Sequence, residues 1–137
     1  MPSFSPESFS KLATCHIDSQ VLFYEVIKNY NCTILCGYRD ETAQELAFES
    51  GKTKLHYPNG KHNHQPSMAV DVISDPINFE DTLLCVWFGG YVMGIAQRLK
   101  DEGKMTHGIR WGGSWDGTGK LNTVGMLNDL VHFELLA

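Results

Sequence analysis

The clearest pattern in the 137-residue chain is a stripe of large apolar side chains in its second half. Apolar residues recur there at i, i+3, i+4 and i+7, the spacing of a helix that buries one face. The positions are Leu84, Trp87, Phe88, Tyr91, Val92, Ile95 and Leu99. The pattern predicts a long helix whose apolar stripe belongs to the core and not to a cofactor pocket.

Three shorter helices are predicted before this one. Residues 5–14 form the first, with a proline in the first turn, where its missing N–H costs nothing. The second begins after Asp18, a residue type that caps helices well. Asp40 is placed to cap the third, residues 41–50, and Gly51 follows where a C-terminal glycine is expected.

Short β-prone runs separate and follow the helices. The predicted strands are residues 32–36, 68–73, 108–111 and 130–136, the third of which leads into a glycine-rich turn. Helices and strands are mixed without strict β-α alternation, which indicates an α+β fold. Because no linker, repeat or low-complexity segment divides the chain, we expect one domain over residues 1–137.

Composition and charge narrow the classes of function. A formal net charge of −5 and a pI near 5.6 provide no basic surface for nucleic acid. The most apolar stretch, residues 82–96, is shorter than the ~20 residues that a membrane span needs. The amino terminus has no secretory signal features, so we expect synthesis in the cytoplasm. The four cysteines contain no Cys-x-x-Cys pair and are interpreted as buried reduced thiols rather than a thiolate metal site.

One carboxylate lies inside an apolar strand. Asp71 is flanked by alanine, valine and isoleucine, where an unpaired charge would be costly, so a cation is expected beside it. His64 lies seven residues upstream, and His132 lies in another apolar strand three residues after Asp129. Two histidines and one carboxylate are a common ligand set for catalytic zinc. Such spacings also arise by chance, and buried histidines often bond backbone carbonyls, so the pattern alone leaves both interpretations open.

Four segments together resemble one known family. They are HQPSMAVD at 64–71, WGGSW at 111–115, DLVHFEL at 129–135 and LATCHIDSQVLFYEVIKNYNCTILCGYR at 12–39. These segments are similar to the zinc D-Ala-D-Ala carboxypeptidase and L-alanyl-D-glutamate endopeptidase family, which includes bacteriophage endolysins and shares its fold with the Hedgehog signalling domain. The resemblance covers nearly the whole chain in the right order.

The resemblance implies a site and an activity. One zinc ion per chain would be held by His64, Asp71 and His132, with Asp129 as general base and Arg39 stabilising substrate and oxyanion. It implies helices packed on an antiparallel sheet. The implied substrate is the peptidoglycan stem peptide. A phage endolysin that cuts the L-Ala–D-Glu bond in the periplasm, as a monomer, is the preferred expectation.

Several alternatives stay open at this point. The family has serine and glycine where this chain has His62 and Ser67, so His62 and His56 compete with His64 as first ligand; the seven-residue step to Asp71 favours His64. Trp111 and Trp115 either line the substrate cleft or pack beneath the turn. Glu134 either supports His132 or forms a surface ion pair. The competing functions are a D-Ala-D-Ala carboxypeptidase and a non-catalytic zinc-binding module.

Overall fold

Four α-helices and four β-strands are present in the part of the chain that the structure, a computed structural model, describes: residues 2–118, 120–121 and 129–137. The helices are α1 (Pro6–Leu12), α2 (Ile17–Ile27), α3 (Glu41–Glu49) and α4 (Thr82–Asp101). The strands are β1 (Cys32–Cys36), β2 (Ala69–Ser74), β3 (Ile109–Trp111) and β4 (His132–Leu135). A short 3-10 turn, Lys61–Asn63, comes before β2. All eight predicted elements are confirmed, with ends that differ by at most three residues.

The ends of α3 follow the capping chemistry that the sequence predicts. The Asp40 side chain accepts a hydrogen bond of 2.8 Å from the backbone N–H of Ala43. Gly51, just beyond the helix, has a φ of +81°, a left-handed conformation that glycine adopts without a steric penalty. Both ends of the third helix are therefore determined by local sequence.

The start of α2 differs from the prediction. His16 caps the helix, since its Nδ1 atom accepts a hydrogen bond of 3.0 Å from the backbone N–H of Asp18. Asp18 lies inside the helix and is buried, and its Oδ2 atom accepts hydrogen bonds from Thr106 and His107, which follow α4. The Asp18 carboxylate, which the sequence predicts to cap α2, therefore makes a tertiary contact instead.

The four strands form one antiparallel sheet in the order β1-β2-β4-β3. Helices α1, α2 and α4 supply the apolar side chains that cover one face, where Phe23, Phe88 and Phe133 are almost fully buried. Val70 and Val72 of β2 belong to this core. The chain is an α+β protein with helices packed on an antiparallel sheet, as predicted. Among the described residues, none of the helices combines the length and apolarity that a membrane crossing requires.

Candidate metal centre and active-site cleft

The sheet register brings three chemically active side chains into one row. Asp71 in the central strand β2 pairs with Cys36 of β1 on one side and with His132 of β4 on the other. An irregularity in the β1–β2 register between Ile34 and Cys36 places Cys36 opposite Asp71. Because side chains alternate along a strand, Asp71 faces away from the core that Val70 and its neighbours build.

The histidine that joins this row from the preceding loop is His62. Its side chain is buried, its Nε2 atom lies 3.2 Å from Asp71 Oδ1, and its Nδ1 atom lies 2.7 Å from the carbonyl oxygen of Gly37. His64, the ligand preferred from the sequence, is exposed and lines neither part of the cleft described below. The structure therefore brings Asp71 and His132 together with His62, and it leaves His64 outside the group.

The 3-10 turn holds His62 in place through its own polar contacts. The backbone N–H of Arg39 donates a hydrogen bond of 2.8 Å to the His62 carbonyl, and the Asn63 side chain donates one of 2.9 Å to the Arg39 carbonyl. Gly60 closes the turn, where an added Cβ would lie only 2.8 Å from Asn63 Oδ1. The turn is thus tied to the end of β1 and presents its middle residue to Asp71.

His132 is held from its outer side in the same way. Its Nδ1 atom lies 3.1 Å from Asp71 Oδ1, and its Nε2 atom lies 2.9 Å from Glu134 Oε1. Glu134 is buried and ion-paired with Arg110 at 2.8 Å and with Lys61 at 3.5 Å. Burial raises the pKa of Glu134, but its hydrogen bonds to His132 and Arg110 outweigh this effect and lower the pKa to about 2. Glu134 therefore both supports His132 and forms ion pairs.

Electrostatics around Asp71 call for positive charge. Burial lowers the pKa of His62 and of His132, but hydrogen bonds to Asp71 outweigh it and raise these pKa values to about 10 and about 9. Burial raises the pKa of Asp71, yet its contacts with both histidines hold that pKa well below the ordinary value. An ionised carboxylate in this place needs a cation, either a proton on an imidazole or a metal ion.

The donor set fits a metal ion such as zinc. The outer ring nitrogens of His62 and His132 lie against acceptors, the Gly37 carbonyl and the Glu134 carboxylate. Metal-binding histidines usually donate their second N–H to such partners, which leaves the inner nitrogen as a lone pair. Both inner nitrogens approach the same oxygen of Asp71. Two sets of possible ligand atoms lie close enough together to hold an ion. One consists of Cys36, His62 and Asp71, and the other of Asp71, Asp129 and His132, so Asp71 belongs to both.

Asp129 lies beside His62, Asp71 and His132, and it is farther from His132 than Asp71 is. Its Oδ2 atom is 3.9 Å from His132 Nδ1, and its side chain is 40% exposed. The pKa of Asp129 is raised, chiefly because its carboxyl is partly buried. The charge of His132 lowers this pKa, and the charge of Asp71 raises it. A glycine makes room for this segment, because a Cβ on Gly112 would lie 1.9 Å from the Asp129 carbonyl oxygen. A carboxyl with a raised pKa suits proton transfer near neutral pH.

The group lies in a cleft with two parts of different polarity. One part, about 330 Å³, is lined by Lys61, Arg110, Trp115 and Glu134, and the other, about 890 Å³, by apolar side chains that include Leu46 and Phe79. Arg39, His62, Asp129 and His132 border both parts. These volumes are in the range of small-molecule and peptide sites. The cleft thus leads past the candidate metal centre from both sides.

Arg39 lies where the resemblance implied, at the centre of the cleft. Its Nη2 atom is 3.8 Å from Asp71 Oδ2, and its Nη1 atom donates a hydrogen bond of 3.1 Å to Gln44 Oε1. Gln44 is buried and is also bonded to Leu55 and Asn63, so it holds the guanidinium firmly. A fixed planar cation of this kind matches a carboxylate or a tetrahedral oxygen.

The two tryptophans of the glycine-rich turn have different environments. Trp111 is buried, donates a hydrogen bond of 2.7 Å to the Leu130 carbonyl, and packs where Gly89 of α4 has no side chain. It lines neither part of the cleft. Trp115 lines the polar part, with its ring centroid 5.8 Å from that of His132. Of the two substrate-contact alternatives, the geometry leaves Trp115 as the residue that can touch a ligand.

A second histidine–carboxylate group, His16, Asp18 and His107, is also present. Asp18 Oδ2 already accepts hydrogen bonds from the backbone and side chains of Thr106 and His107. The Nδ1 atom of His16 is occupied by capping α2. Since these atoms already take part in hydrogen bonds, we interpret this group as a structural contact between α2 and the segment after α4, and not as a metal site.

Comparison with known proteins agrees with the fold. No family model matches the sequence, and no curated protein matches it. Among solved structures, the chain is similar to the L-Ala D-Glu endopeptidase ChiX of Serratia marcescens, with a TM-score of 0.68 and 18% sequence identity. The match covers 98% of this chain and 91% of that one. At this identity the likeness shows the α+β fold alone.

Proposed function

We propose that this protein is a zinc-dependent peptidase that hydrolyses peptidoglycan stem peptides. The observation that carries the proposal is the convergence of His62, Asp71 and His132 in an open cleft, with both outer ring nitrogens held by acceptors. This arrangement matches a three-ligand catalytic site with a position left for water and substrate. The ligand set proposed is therefore His62, Asp71 and His132, with one ion per chain.

Each residue beside the proposed metal ion has a separate role in peptide hydrolysis. Zinc bound there would acidify a water molecule and polarise the scissile carbonyl. Asp129 takes the proton of the attacking water as the C–O bond forms, and it then delivers this proton to the amine nitrogen as the C–N bond breaks. Arg39 donates hydrogen bonds to the oxygen that gains negative charge. Gly37 and Glu134 keep the two imidazoles oriented.

The proposed bond is L-Ala–D-Glu. The structural neighbour is an endopeptidase for L-Ala D-Glu, and the match extends over almost the full length of both chains. We propose further that the protein acts as a phage endolysin: it is made in the host cytoplasm and acts, as a monomer, on the wall in the periplasm. The fold similarity supports the peptidase more directly than it supports this biological role.

Two other functions compete with this one. A D-Ala-D-Ala carboxypeptidase would use the same metal centre, and the cleft, which leads away from the centre on two sides, favours an endopeptidase over it. A non-catalytic zinc module would need neither an acid beside the metal nor a cation fixed in the cleft. Asp129 and Arg39 occupy those two positions, which favours catalysis.

Digestion of purified peptidoglycan tests the proposal directly. The zinc-loaded protein should release peptides whose new amino terminus is D-Glu, as read by mass spectrometry of the products, and a chelator should stop the release. Products that lack only a terminal D-Ala would identify the carboxypeptidase instead. If the zinc-loaded protein releases nothing from the wall while still binding zinc, the non-catalytic module is the better description.

A further inference from the structure

Two cationic side chains share one carboxylate in the polar part of the cleft. Arg110 Nη2 lies 2.8 Å from Glu134 Oε2, and Lys61 Nζ lies 3.5 Å from the same oxygen. Lys61 also donates a hydrogen bond to the Leu135 carbonyl. Both cations keep access to solvent, with side chains 40% and 34% exposed. Glu134, which both cations contact, is also hydrogen-bonded to His132 of the candidate metal centre.

The charged side chains around the polar part of the cleft balance one another before a metal ion is counted. Among the described residues that line the polar part, the cations are Arg39, Lys61 and Arg110, and the carboxylates are Asp129 and Glu134. The adjacent Asp71 adds one further negative charge. A divalent ion with two neutral histidine ligands would leave the site with a net positive charge. An excess of positive charge in the cleft favours a substrate that brings a carboxylate.

Arg110 has unused capacity to bind such a group. Its guanidinium carbon lies 5.5 Å from the centroid of the Trp115 ring, and a cation–π contact of this kind uses none of the N–H groups. Its Nε atom is buried, so the N–H groups that a ligand can reach are those on the two Nη atoms. An arginine carries five N–H donors, and only Nη2 is engaged with Glu134.

We propose that Lys61 and Arg110 bind a free carboxylate on the substrate residue next to the scissile bond. This inference rests on the proposed peptidase function and specifies its substrate: a stem peptide whose D-Glu keeps its α-carboxylate. The same peptide with that group converted to a carboxamide loses the charge but keeps nearly the same shape. The protein therefore discriminates against walls in which this position is amidated.

The test compares two synthetic stem-peptide fragments that contain the L-Ala–D-Glu bond, one with the α-carboxylate and one with the carboxamide. The wild type should cleave the acid with a kcat/KM about 10- to 100-fold higher, the range for hydrogen bonds to a charged group. Lys61→Gln and Arg110→Gln should each reduce this acid-to-amide ratio by about tenfold. Lys28→Gln removes an equal charge from the exposed surface of the chain and should leave the ratio unchanged.

The acid-to-amide ratio of kcat/KM shows whether Lys61 and Arg110 bind the substrate carboxylate or only support Glu134 and His132. A variant that merely disturbs Glu134 and His132 slows both substrates equally and leaves the ratio intact, which would overturn the inference. Equal cleavage of acid and amide by the wild type would overturn it while leaving the peptidase function standing. Cleavage of neither would refute the peptidase function and this inference with it. Should Arg110→Gln fail to fold by circular dichroism, Lys61→Gln decides the outcome, since Lys61 is partly exposed.

Discussion

Replacement of His62 by alanine is the sharpest test of the metal centre. The substitution removes the imidazole that lies 3.2 Å from Asp71 Oδ1 and leaves that half-buried carboxylate with His132 and Arg39. Loss of a partner that merely supports a metal ligand typically costs about 10–100-fold in affinity. Loss of the ligand itself should therefore weaken zinc binding by more than about 100-fold, which is about 2.7 kcal/mol.

This magnitude can be read from thermal unfolding. At free zinc 100 times the wild-type Kd, binding stabilises the native state by about 2.7 kcal/mol, which for a chain of this length raises Tm by roughly 10 °C. With a 100-fold weaker site, the same zinc concentration supplies only about 0.4 kcal/mol to His62→Ala, and its Tm should hardly move. Competition with a chromophoric chelator measures the two Kd values independently.

His64→Ala is the matched control, because His64 lies two residues away on the same loop and is exposed. It should keep the full zinc-dependent rise in Tm. The assignment is refuted if His62→Ala folds and binds zinc within threefold of the wild type, or if His64→Ala is the variant that loses the ion. Circular dichroism without metal checks that both variants fold.

Three further predictions follow from the geometry. Asp129→Asn should keep zinc but release peptide from wall at least about 100-fold more slowly, since an amide cannot take the proton; retention of a tenth of the activity would argue against a general base. Gly112→Ala should lower both Tm and activity, because the new Cβ would meet the Asp129 carbonyl at 1.9 Å, whereas Gly90→Ala, with nothing within 4 Å, should leave activity unchanged and raise Tm slightly, since alanine favours the helix. Without metal, Tm should fall as pH rises from about 6.5 to 10, because the raised pKa values of His62 and His132 stabilise the protonated native state below that window. Zinc affinity should rise over the same window, and a metal-free Tm that increases with pH would contradict the assignment.

The local elements of the fold could be predicted because their signals are short-range. Asp40 and Gly51 bracket α3 through contacts within one turn, and the apolar stripe of α4 predicts most of the face that it buries, although Trp87 of that stripe is 47% exposed. Asp71 attracted attention for a physical reason that also holds in the structure: a carboxylate among apolar neighbours needs a partner. Where a long-range contact competes with a local one, as when Asp18 bonds Thr106 and His107, prediction from neighbours alone was wrong.

The choice between His62 and His64 shows the limit most clearly. Spacing along the chain favours His64, but a loop residue's direction depends on what the loop is tied to. Here the Arg39 N–H and the Asn63 side chain fasten the 3-10 turn so that its middle residue is buried. A histidine in place of the family's usual serine was the one signal in the sequence that pointed to His62.

The sequence by itself determined the helices and strands, the α+β class and the chemical need for a cation at Asp71. The tertiary structure decided which side chains meet that need. The antiparallel register sets Asp71 between Cys36 and His132, residues 35 and 61 positions away in sequence. Pairing register and loop anchoring are long-range properties, since each depends on hydrogen bonds between segments that no local pattern connects. For that reason the proposed metal ligands, and the cations around Glu134, are brought together only when the chain is folded.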